Sequence, residues 1–238
     1  MKTLSWDTST GVSAVSLCED GVVLARDVSS HEARHGEVLL PRVLELLGRE
    51  GWDRCDVELL AVGIGPGSFT GLRVGLATAK GWALATGVPI VGVISPAVVA
   101  APLLQQGHGT VAVVTDAFKG EVYVTVFRSG EAADDPSMLA SPLNTPPELA
   151  AARLREHVPE GPITLVGDGI RRFPAVWGRV LGARAQTMPE AADVPCPVAL
   201  SRLAVVQYKR QGASDLVELE PLYVRGSDAQ LPKAPLAT

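Results

Sequence analysis

Three groups of residues in this 238-residue chain have types and spacings that could do chemistry. The first is His31-Glu32-Ala33-Arg34-His35. On a helix, histidines four apart share a face and can hold zinc, with the glutamate placed to activate a metal-bound water, as in metallopeptidases. The second is a pair of acidic turns, Asp7-Thr8-Ser9 and Asp116 before Lys119-Gly120, each ending an apolar strand. Such a carboxylate can orient a metal on a bound phosphate, or simply accept the N–H groups of its own turn. The third is Gly63-Ile-Gly-Pro-Gly-Ser-Phe-Thr-Gly-Leu-Arg-Val-Gly-Leu-Ala-Thr-Ala-Lys-Gly81. Its glycines allow close backbone approach. Gly67 and Ser68 stand where a helix begins, and free N–H groups there attract anions.

The elements that position these residues follow from hydrophobic patterning. Strands are expected at Thr3–Asp7, Val12–Cys18 and Val22–Val28, with a hairpin turn at Glu19-Asp20-Gly21. A helix over about Glu32–Arg49, capped at Ser29-Ser30, precedes a buried strand at 59–64. A helix from Phe69 to Thr86, ended by Gly87, leads to a strand at Pro89–Ile94. The second half opens the same way, with strands at Val111–Thr115 and Glu121–Phe127 around Asp116. A loop at 129–147, a helix at 147–156, a strand at 162–166 and helices at 169–181 and 197–211 follow. The strand–Asp–turn–strand arrangement recurs after about a hundred residues, which implies two related lobes rather than a solenoid. The expected division is 1–105 and 106–225, with helix 197–211 free to pack back on the first lobe and 226–238 a loose tail. This is an α/β architecture of mixed sheets with packed helices.

Composition narrows the class. Hydrophobic residues make up 47% and charged residues 20%, enough apolar material for a sizeable core. The net charge of −5 gives no general pull on nucleic acid. Cys18, Cys55 and Cys196 are odd in number and widely spaced, which suits reduced thiols in a cytoplasmic protein. Val91–Leu104 is too short, and too broken by Pro96 and Pro102, to span a bilayer.

Two helices offer a docking surface. Leu46, Leu39, Val43, Leu47, Leu40 and Leu44 cover an arc of about 160° at the helical period, where one sheet contact needs about 100°. On the next helix Gly71, Gly75, Thr78 and Ala79 form a small-residue stripe ending at Trp82. Two glycines in one stripe cost helix stability and so imply a close packing partner. That partner is either a neighbour within the lobe or a helix of another chain.

The 63–81 string closely resembles the signature of the TsaB (YeaZ) family, bacterial proteins needed to make threonylcarbamoyladenosine in tRNA. Asp7-Thr8-Ser9 is similar to the family's opening turn, and His35-Gly36-Glu37 with Leu39-Leu40-Pro41 to its first helix. Asp116-Ala-Phe-Lys-Gly-Glu-Val-Tyr123, Gly167-Asp168-Gly169 and Pro221-Leu-Tyr-Val-Arg225 resemble three later motifs. The resemblance implies the two-lobed actin, Hsp70 and sugar-kinase fold, built on a ribonuclease H-like repeat. It implies a non-catalytic subunit that pairs with, and stabilises, the catalytic paralogue TsaD. That enzyme moves a threonylcarbamoyl group from its adenylate to the adenosine beside the tRNA anticodon. A TsaE-like ATPase would join, and tRNA would be met only through the complex. The implied interface is Leu39, Val43, Leu46, Gly71, Gly75, Thr78, Ala79 and Trp82, which could also serve a homodimer.

Three further expectations concern chemistry. His35 is explained by the family resemblance without a metal, and Gly36 loosens the 31–35 segment as a zinc helix. A metallopeptidase of the glycoprotease type is therefore the alternative reading. Gly92–Ala100 has no histidine where the paralogue carries its metal pair, so no metal or cofactor is expected. With no Gly-x-x-x-x-Gly-Lys-[Ser/Thr], Asp7, Thr8, Ser9, Gly67, Ser68 and Asp116 are at most a vestigial nucleotide or anion site, not that of a small kinase.

Overall fold

A computed structural model describes residues 1–30, 35–130 and 136–224. Strands β1 (Lys2–Asp7), β2 (Val12–Glu19) and β3 (Val22–Ser30) form an antiparallel meander, followed by helix α1 (His35–Glu50). Then come β4 (Leu59–Gly63), α2 (Phe69–Thr86), β5 (Ile90–Val93) and α3 (Ser95–Gln105). The first sheet has the order β3-β2-β1-β4-β5, with β1, β4 and β5 parallel. Parallel neighbours require crossovers, which α1 and α2 supply.

The second half repeats this plan with β6 (Thr110–Asp116), β7 (Val122–Arg128), β8 (Ser137–Thr145), α4 (Pro147–His157) and β9 (Ile163–Val166). Helices α5 (Asp168–Arg172) and α6 (Pro174–Leu181), strand β10 (Ala185–Thr187) and helix α7 (Pro197–Gln211) complete it. Its sheet order, β8-β7-β6-β9-β10, is that of the first sheet element for element.

Three expectations need correction. Ser29 and Ser30 finish β3 instead of capping a helix. The stretch read as a loop at 129–147 contains β8, an edge strand whose half-exposed residues carry too little apolar signal to be recognised. The helix expected at 169–181 is broken at Phe173 (φ −129°, ψ 55°), because Pro174 disfavours the helical region for the residue before it.

Three apolar clusters hold these layers. Leu4, Trp6, Val15 and Leu17 of the first sheet meet Leu39, Val43, Leu46 and Leu47 of α1 and Trp82 of α2. Ile163, Leu165, Leu154 and Trp177 form the matching cluster under α4 and α6. Between the sheets, α3 packs on β6 and β7 while α7 packs on β1, β2, β4 and β5, so each half's last helix lies on the other half's sheet. The buried hydroxyls of Ser5 and Ser16 both donate to the carbonyl of Pro197, at 2.9 and 3.0 Å, and Ser201 donates to Ser5 at 3.0 Å. A satisfied buried polar cluster of this kind fixes the register of α7 on the sheet.

Candidate functional site

The glycines of the 63–81 string meet one short turn, Asp7-Thr8-Ser9. A Cβ on Gly63 would overlap the Asp7 carboxylate, and one on Gly67 the Ser9 carbonyl. One on Gly71 would strike the Thr8 carbonyl, and one on Gly75 the Thr8 hydroxyl. Every fourth residue is glycine because β4, the turn and α2 lie directly on residues 7–9, on the backbone at Gly67 and Gly71 and on side chains at Gly63 and Gly75. Hydrogen bonds lock the fit: Ser68 N–H to Ser9 O at 2.6 Å, Thr8 Oγ1 to Gly71 O at 2.7 Å, and Trp6 Nε1 to Gly75 O at 3.0 Å. Asp7 Oδ1 accepts the Ser9 N–H at 2.7 Å. Asp7 and Thr8 are wholly buried and Ser9 nearly so.

This placement bears on two expectations. Asp7, Thr8, Ser9, Gly67 and Ser68 do come together, and several of their groups bond within the turn or to the start of α2. The Ser68 N–H serves Ser9 O, and the Gly71 N–H serves Ser68 Oγ as the helix cap at 3.2 Å. The Gly71, Gly75 stripe packs inside its own lobe, against Thr8, and not against another chain's helix. Leu39, Val43, Leu46, Ala79 and Trp82 are likewise core residues, with only Thr78 half-exposed.

The second half repeats the device in miniature. Gly167 has φ +115°, and a Cβ there would overlap the Val114 carbonyl. Asp116 lies at the end of β6; its N–H donates to Asp168 Oδ1 at 2.8 Å and its Oδ1 accepts from Phe118 N–H at 2.9 Å. Asp116 Oδ2 lies 3.4 Å from Arg172 Nε. Phe118 and Lys119 take left-handed backbone (φ 60° and 54°), and the Phe118 ring is exposed.

Between the two turns lies a cavity of about 180 Å³, bordered by Ser9, Thr10, Pro66, Ser95, Asp168 and Asp193. Cofactor pockets usually enclose about 300–1,000 Å³. Desolvation holds the Asp168 carboxyl above its ordinary pKa, against the lowering effect of the Asp116 N–H. Asp193 is raised for the same first reason, although it accepts from Gly167 N–H and Arg171 Nε, each at 2.7 Å. Carboxylates that border a small cavity repel an anion. The Asp116–Asp168 and Arg171–Asp193 contacts tie the loops together around this cavity.

The outward side of the α1–α2 layer is different in kind. On α1, Leu40 and Leu44 are 42% and 44% exposed, and Gly48 is exposed with open space beside it. On α2 the exposed stripe is Thr70, Arg73, Ala77, Gly81 and Leu84, the last 74% exposed. A Cβ on Gly81 would meet nothing within 4 Å. Solvent-facing helix stripes are ordinarily charged or polar. Here the exposed positions include leucines and the small residues Ala77 and Gly81, beside which a second helix could approach closely.

Comparison with known proteins places this architecture. The chain is 31% identical to the Escherichia coli tRNA threonylcarbamoyladenosine biosynthesis protein TsaB over 240 residues, covering 96% of each. The chain belongs to the TsaB family. The model of the family described as TsaD, tRNA N6-adenosine threonylcarbamoyltransferase, matches residues 23–140. The solved structure of YeaZ from Pseudomonas aeruginosa superposes with a TM-score of 0.80 at 27% identity, covering 93% of this chain and 99% of that one. The ROK hexokinase of Thermus thermophilus, at 15% identity, TM-score 0.50 and coverage of 88% and 100%, shares the fold alone. The two-lobed fold expected of a TsaB-family protein is therefore present.

His31, Glu32, Ala33 and Arg34 lie outside the described residues, and His35 opens α1. Among the described residues, no group of His, Cys, Asp and Glu side chains converges as a metal site. No described helix is long and apolar enough to cross a membrane. Ala77, Gly81 and Leu84, which α2 leaves exposed, lie outside the residues expected from the sequence to form an interface. They form a second small-residue stripe beside the first, with Arg73 and Lys80 at its edge.

Proposed function

We propose that this chain is a non-catalytic subunit in the formation of N6-threonylcarbamoyladenosine beside the tRNA anticodon. It pairs with a TsaD-like catalytic paralogue through the outward face of α1 and α2. The observation that carries this reading is the apolar, small-residue surface formed by Leu40, Leu44, Ala77, Gly81 and Leu84. Such a surface costs solubility in a lone chain and suits a helix-on-helix contact. The buried 7–9 turn supports the non-catalytic part, because groups already bonded to one another are poorly placed to receive a phosphate. Pairing would bury this face and so stabilise both proteins by mass action. A TsaE-like ATPase joins the assembled pair, and tRNA is contacted by the complex. A second copy of this chain would compete for the same helices.

The test is to mix the purified chain with the purified catalytic paralogue and measure affinity and tRNA modification together. Pairing that survives a disrupted α1–α2 face, or modification by this chain alone, would overturn the proposal.

A further inference from the structure

At one end of the outward stripe of α2, an arginine is held in an aromatic clamp built from distant parts of the sequence. The guanidinium carbon of Arg73 lies 3.8 Å from the ring centroid of Phe69 and 5.9 Å from that of Tyr223. The two rings sit 5.6 Å apart at 38°, and Arg73 Nε donates to the Tyr223 hydroxyl at 2.9 Å. Tyr223 reaches this position on the segment after α7, which runs back along the first sheet. Ser214 N–H bonds to Ile90 O at 2.8 Å, Leu222 N–H to Ile64 O at 2.8 Å, and Lys80 Nζ to Val217 O at 3.3 Å. Leu219 meanwhile lies close to Gly92.

The clamp is exposed. Phe69 and Tyr223 are 55% and 45% accessible, and Arg73 is exposed between them. A guanidinium carries five N–H donors in a rigid fork. Among the described residues only Nε of Arg73 is hydrogen-bonded, which leaves four donors on the terminal nitrogens, and Arg73 forms no ion pair there. Stacking and the Nε bond have already restricted the side chain, so less entropy is lost when a ligand is bound. Tyrosine and arginine are also the residues most enriched among interface anchors.

We infer that Arg73, positioned by Phe69 and Tyr223, is a specificity-determining anchor that takes a side-chain carboxylate of the catalytic partner. The inference rests on the proposed pairing through α1 and α2 and adds the polar lock at one end of that contact. Arg73 shares its exposed stripe with Ala77, Gly81 and Leu84, so a partner seated on that stripe reaches it. A planar fork matches a carboxylate in two parallel hydrogen bonds, and burial of the adjoining apolar surface would exclude water from that pair. An RNA phosphate is a poorer match. Phosphate-backbone binding draws on several cations at once, whereas this stripe continues as alanine, glycine and leucine in a chain of net charge −5.

The experiment titrates the purified catalytic paralogue with wild type, Arg73→Gln, Arg73→Lys, Tyr223→Phe and Gly81→Leu chains at low and high salt. Arg73→Gln should weaken affinity about 30-fold or more, with a flattened salt dependence. Arg73→Lys should not restore it, because an ammonium cannot reproduce the fork. Tyr223→Phe keeps the ring but loses the Nε bond, and should cost about 3- to 10-fold. Wild-type affinity for Arg73→Gln beside a broken Gly81→Leu would sink the anchor and leave the pairing standing. Undiminished affinity in both would sink the pairing as well. Full rescue by Arg73→Lys would show a simple point charge and overturn the bidentate role. A parallel titration with tRNA alone, weakened by Arg73→Gln while partner affinity stays unchanged, would reassign the clamp to RNA.

Discussion

Two glycines on one helix should respond in opposite ways, and the contrast tests how α2 divides its surface. Gly75 faces inward, where an added Cβ meets the Thr8 hydroxyl. That hydroxyl is bound at 2.7 Å to Gly71 O, and the Gly75 carbonyl is bound at 3.0 Å by Trp6, so neither side can withdraw freely. For Gly75→Ala, overpacking costs about 1–3 kcal/mol and a disturbed Thr8 hydrogen bond about 1 kcal/mol, offset by about 1 kcal/mol of helix propensity. The net loss of about 1–3 kcal/mol should lower the Tm by roughly 2–12 °C in a domain of this size. Gly81 faces outward into open space. Gly81→Leu should gain up to about 1 kcal/mol of helix propensity and raise the Tm by about 2–4 °C. Its four extra carbons would meanwhile block a close helix approach, at about 1–3 kcal/mol, or roughly 5- to 150-fold in affinity for the catalytic paralogue. Calorimetric melting and titration calorimetry on the same preparations read both effects. Gly75→Ala melting with wild type would refute the locked turn. Gly81→Leu binding as wild type would refute the outward face as the interface.

Other consequences are equally concrete. Replacing His31 and Glu32 together by alanine should leave folding and tRNA modification intact; stoichiometric zinc lost with function would restore the metallopeptidase reading. The isolated chain should show no ATP turnover above background, and robust turnover abolished by Thr10→Ala at the cavity rim would contradict the non-catalytic proposal. Asp168 supplies a pH test, because its carboxyl pKa is raised first by desolvation. A raised acid favours folding while protonated and loses that advantage as it ionises, so the handicap grows as pH rises above about 4. Asp168→Asn keeps an acceptor for the Asp116 N–H and should melt above wild type at pH 7, the gap closing on acidification. A gap that widens in acid would show the sign to be wrong.

Much of this molecule is legible along the chain because its signals are local. Alternation marks β2 and β7, the hairpin turn at Glu19-Asp20-Gly21 marks the step into β3, and short apolar runs mark β4 and β6. The repeated Asp turn announces two related halves, and the 63–81 string carries the family. Sequence also shows that the glycines need a close neighbour, since no other residue type demands contact through absence of a side chain. It does not name the neighbour. Thr8 lies sixty-odd positions from Gly75, and only the parallel pairing of β1 with β4 brings the 7–9 turn under α2. That register decided which small-residue stripe is core and left Ala77 and Gly81 outside. The Arg73 clamp is still less local, with its tyrosine 150 positions away on a segment held by three backbone-directed hydrogen bonds. Periodicity assigns a residue to a face of its own helix, but what covers that face is settled by elements that local pattern cannot reach.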